Sequence, residues 1–84
     1  MIDLRKNKTN EQQLPKWFKG ALYTEGDIVK NPFSGASIGL TAEELSIYDY
    51  IIGCTMLNKY DATFNKALNW FRHANPDAYM VLLD

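Results

Sequence analysis

Few residues in this chain have the chemistry of a catalyst. Cys54 and His73 are the one cysteine and the one histidine, so they are the one available thiol–imidazole pair. A nucleophile needs a base and an orienting group close by. Cys54 instead falls between Ile51 and Leu57 on an apolar helical face, where a thiol behaves as a small hydrophobe. His73 falls at a helix C-terminus, where it caps carbonyls and opposes the helix dipole. The acids give no pair either. Glu43 and Glu44 belong to the first turn of a helix, and Asp49, Asp61 and Asp77 are scattered. Calcium loops need alternating oxygen ligands closed by a Glu, which is absent. One His and one Cys fall short of a zinc set. Ser34-Gly35-Ala36-Ser37-Ile38-Gly39 is glycine-rich but lacks the spacing and the lysine of a phosphate cradle. The expectation is a non-enzymatic protein with no metal and no cofactor.

What remains is binding. Lys16-Trp17-Phe18-Lys19 sets two rings between two cations. Phe33 falls in a turn, and Trp70 lies off the main apolar stripe of its helix. The chain has two Trp, five Tyr and four Phe in 84 residues, more than a small core absorbs. Lys16, Trp17, Phe18, Lys19, Phe33 and Trp70 are therefore the candidate partner-binding residues. Protein contact is the first reading, because interface energy concentrates in aromatic and Arg anchors. Nucleic-acid binding is the alternative, since single-strand binders combine cations with stacking rings. A pI near 5.7 counts against a broad electrostatic footprint.

Charge is divided along the chain. Residues 1–20 carry five basic and two acidic side chains; residues 21–84 carry four basic and eight acidic ones. Residues 1–13 thus read as a basic, flexible arm, and residues 14–84 as one α+β domain. A domain this small buries only about 60% of its unfolded surface. A lone cysteine cannot form an internal disulfide, so a homo-oligomer is the natural source of extra stability. No secretory leader and no bilayer-spanning segment is expected. With the single cysteine, this points to the cytoplasm and to no membrane partner.

The elements that must position these residues are legible. Pro15 starts the ordered part, and residues 21–24 allow a short strand. Asp27 to Lys30 and Ala36 to Leu40 form a hairpin through an Asn31-Pro32 type I or II turn, with Gly35 at positive φ. Thr41-Ala42-Glu43-Glu44 is a capping box that opens a helix running to about Leu57. After a break at residues 58–60, Asp61 caps a second helix whose Phe64, Ala67, Leu68 and Phe71 share a face. Asn75-Pro76 starts a third, preferred over a strand at Tyr79, Val81 and Leu83. The fold class is α+β: a β-hairpin packed on two to three short helices in a single small domain.

Leu14-Pro15-Lys16-Trp17, Asn31-Pro32-Phe33-Ser34-Gly35, Leu40-Thr41, Tyr48-Asp49-Tyr50-Ile51, Leu68-Asn69-Trp70-Phe71 and the ending Tyr79 to Asp84 together resemble a type of small uncharacterised protein encoded by tailed bacteriophages. The resemblance covers roughly residues 14–84. It implies no catalytic residue and no ligand. It does imply an accessory protein of an infected cell's cytoplasm, binding itself or a host or virion protein.

Overall fold

The computed structural model describes residues 14–18 and 20–83. The basic arm expected at 1–13, and Lys19, lie outside the described residues. The chain order is β1 (Asp27–Lys30), β2 (Ser37–Leu40), α1 (Ala42–Met56), α2 (Ala62–Ala74) and α3 (Pro76–Leu82). This is the expected α+β fold, an antiparallel hairpin on three helices. The short strand allowed at 21–24 does not form. That segment is held instead by the Tyr23 amide, which donates to Ser46 Oγ at 2.9 Å.

The two strands pair as Asp27 with Leu40, Ile28 with Gly39, Val29 with Ile38 and Lys30 with Ser37. Alternation puts Val29, Ile38 and Leu40 on one face, toward the helices. Ile28 and Gly39 share the outer face, where Ile28 is 71% exposed. The turn departs from the expected four-residue geometry. Asn31 Oδ1 accepts the amides of Phe33 (2.8 Å) and Ser34 (3.3 Å). The Asn31 carbonyl therefore pairs one residue later, with the Gly35 amide at 2.9 Å. Gly35 sits at φ 82°, where a side chain is strained. Asn31 Nδ2 also donates to the Val81 carbonyl (2.9 Å), which ties the hairpin to α3.

The helix ends follow their caps. Thr41 Oγ1 accepts the Glu44 amide (3.2 Å), and Glu44 Oε1 accepts the Thr41 amide (2.9 Å). At the other end of α1, Asn58 takes φ 55°. The Lys59 amide reaches the Cys54 carbonyl (2.8 Å) and the Asn58 amide that of Thr55 (3.2 Å), a Schellman ending. Asp61 Oδ1 accepts the Phe64 amide (3.0 Å) to open α2. Asn75 closes α2 through its own amide to Phe71 and opens α3 by accepting the Ala78 amide at 3.0 Å.

Leu40, Ile47, Ile51, Ala67, Phe71 and Ala78 form the buried core, to which β2 and all three helices contribute. Two polar side chains enter it. Ser46 donates to the Ala42 carbonyl (2.8 Å) while accepting from Tyr23. Glu44, 2% exposed, also accepts from Asn75 Nδ2 at 3.1 Å. One carboxylate thus joins the start of α1 to the α2–α3 junction. Each group is compensated, as burial of a polar atom requires.

Candidate functional site: an aromatic groove on the second helix

Helix α2 has two working faces. Phe64, Ala67, Leu68 and Phe71 turn to the core. Lys66, Asn69, Trp70, His73 and Ala74 recur at i, i+3, i+4, i+7 and i+8, an adjacent stripe. Together with Trp17 they line a groove of about 570 Å³. That lies within the ~300–1,000 Å³ typical of binding clefts. Among the described residues the lining carries two indoles, an ammonium, an amide and an imidazole, and no carboxylate.

A compact segment brings Trp17 to this helix. The Phe18 amide donates to the Pro15 carbonyl at 3.0 Å, closing a turn across Lys16 and Trp17. Phe18 packs edge-on against Tyr50 of α1, with ring centroids 5.7 Å apart, and edge-on against Trp17 at 6.3 Å. Gly20 accommodates this. A Cβ there would fall 2.6 Å from the Phe18 ring. Phe18 is thus the anchor that seats the segment, and Trp17 is the ring carried beside it.

The polar lining is held in place. His73 Nδ1 lies 2.8 Å from the Asn69 carbonyl, an acceptor, so this nitrogen carries the proton. Arg72 Nη2 donates to Asn69 Oδ1 (2.8 Å), and its guanidinium lies 5.9 Å from the centre of the Tyr79 ring. Next to the Phe18 anchor, the Tyr50 hydroxyl is pushed up to about 12. Burial is the main cause, followed by a hydrogen bond with Cys54 and the negative charges of Cys54 and Asp61.

Of the expected binding residues, the structure brings Trp17 and Trp70 together in one groove, while Lys16 is exposed and does not line it. Trp17, Phe18 and Trp70 are more embedded than surplus surface rings would be: all three are half-buried and pack against the core cluster. Phe33 stands apart at the hairpin tip, 97% exposed. Cys54 and His73 each have a structural place, the first buried in α1 and the second bonded to the preceding turn of α2. Sequence reasoning missed Lys66, Asn69 and His73 as groove residues. Their helical spacing from Trp70 was the available signal. Among the described residues, no helix is long and apolar enough to cross a membrane. No protein-family model, curated protein or solved structure matches this chain.

Proposed function

We propose that this is a non-enzymatic accessory protein that acts by protein–protein interaction through the Trp17–Trp70 groove. The observation that carries the reading is the pairing of two half-buried indoles across one groove with cationic and amide groups at its side. Tryptophan in a partly desolvated pocket is the usual anchor of an interface. The partner is another copy of the chain or a second protein. The resemblance to small phage proteins supports a host or virion protein as that second partner, met in the cytoplasm of an infected cell.

The test is the absolute mass of the purified protein by light scattering at low and high salt, for the wild type and Trp17→Ala. A salt-resistant oligomer, reduced by Trp17→Ala with helicity unchanged, supports the reading. A Trp17→Ala variant that loses helicity identifies Trp17 as a core plug and removes the reading.

A second reading has its own observation. Trp17, Lys66 and Trp70 gather a cation and stacking rings at one place, the combination used on single strands. It predicts a co-purifying ultraviolet signal of nucleic acid that salt strips away. A clean protein spectrum at low salt counts it out.

A further inference from the structure

We infer that the occupant of the groove is the Leu22–Ile28 segment of a second copy of this chain. The inference rests on the protein-interaction reading and names its partner. Leu22-Tyr23-Thr24-Glu25-Gly26-Asp27-Ile28 is exposed along its whole length. Its apolar members stand out in solvent: Leu22 is 70% exposed, Tyr23 42% and Ile28 71%. Between them lie the exposed carboxylates Glu25 and Asp27. The groove offers the complement, two indoles with Lys66 and His73 in the lining. Apolar side chains match the rings, and acids match the Lys66 ammonium in a lining with no acid among the described residues.

The backbone suits the role. The Tyr23 amide is pinned to Ser46, and a Cβ at Gly26 would collide with the Leu40 carbonyl and Thr41 Cα. The segment is therefore held against the body in a set shape while its side chains stay exposed. Preorganisation of this kind lowers the ordering cost of binding. Each copy carries both the groove and the segment that would fill it in the other. A two-fold pair uses the contact twice, as an isologous dimer does. Using the contact twice doubles the area it buries, and a stable assembly buries about 1,200 Å² or more.

A charge swap tests this on the full chain. Lys66→Glu and Glu25→Lys alter exposed side chains outside the core, so both variants are expected to keep wild-type circular dichroism. Each alone is expected to weaken self-association about tenfold or more, read from the concentration dependence of sedimentation. The equimolar mixture is expected to recover most of it as a heterodimer. A wild type that stays monomeric overturns the inference and leaves the groove to a foreign protein. An oligomer that tolerates both reversals but falls apart with Trp17→Ala also overturns it, while the groove reading stands. An oligomer indifferent to all three variants overturns both.

Discussion

Replacing Glu44 with Ala tests whether one buried carboxylate organises this fold. Glu44 is 2% exposed, and its Oε1 accepts from the Thr41 amide at 2.9 Å and from Asn75 Nδ2 at 3.1 Å. Removing the side chain takes this acceptor away from two donors in partly buried surroundings. Each hydrogen bond lost in this way costs about 1–3 kcal/mol. One buried methylene is also lost, at ~0.8 kcal/mol. Relief of the buried carboxylate's desolvation offsets part of this. The net expectation is a loss of about 2–4 kcal/mol. A domain of this length holds roughly 4–13 kcal/mol in total, so the loss is a large share. Glu44→Gln keeps an acceptor oxygen and is expected to cost about 1 kcal/mol. Urea unfolding followed by tryptophan fluorescence gives both values, with the slope unchanged if the effect is on stability alone. A double-mutant cycle with Asn75→Ala isolates the link between α1 and the α2–α3 junction, with an expected coupling of ~1 kcal/mol. Glu44→Ala within about 0.5 kcal/mol of wild type, or zero coupling to Asn75, would refute the reasoning.

Other expectations follow from single positions. Gly26→Ala drives a methyl group into the Leu40 carbonyl and Thr41 Cα, both backbone, so no rotamer relieves it; the expected loss is about 2 kcal/mol or more by urea unfolding. Phe33→Ala removes a ring that is 97% exposed, so stability stays within about 0.5 kcal/mol of wild type in the same assay. The Tyr50 hydroxyl has its folded pKa raised to about 12 from an ordinary 10.0. Its stabilising contribution is therefore full below pH 10.0 and fades as pH rises toward about 12, because the unfolded chain releases this proton first. Tyr50→Phe should flatten that decline and remove the last component of the tyrosinate absorbance titration.

Local rules carried most of the fold in the sequence. Thr41 and Glu44 announced the start of α1, Asp61 that of α2, and Asn75-Pro76 that of α3, because caps act over three or four residues. Asn58 closed α1 where the apolar pattern lapsed. The hairpin was legible from β-branched residues and Gly35, but its turn was not. Which atom of Asn31 takes the Ser34 amide depends on side-chain geometry that spacing does not encode. The 21–24 strand failed because its amide found a partner in Ser46, far along the chain. The site followed the same division. Trp17 and Trp70 stood out as rings without a place in the main stripes. That they line one groove with Lys66 and His73 is a tertiary fact, set by Phe18 seating on Tyr50. Glu44 read as a capping residue, and its second bond to Asn75 was invisible for the same reason.

The most direct measurement uses the two tryptophans as their own reporters. Each contributes one indole N–H resonance, and both rings line the groove. In a dilution series of the full chain by nuclear magnetic resonance, a groove that serves as the interface between copies shifts both indole signals together, along the same isotherm as the change in mass. Indole signals that stay still while the mass changes would put the interface elsewhere on the molecule and contradict the account.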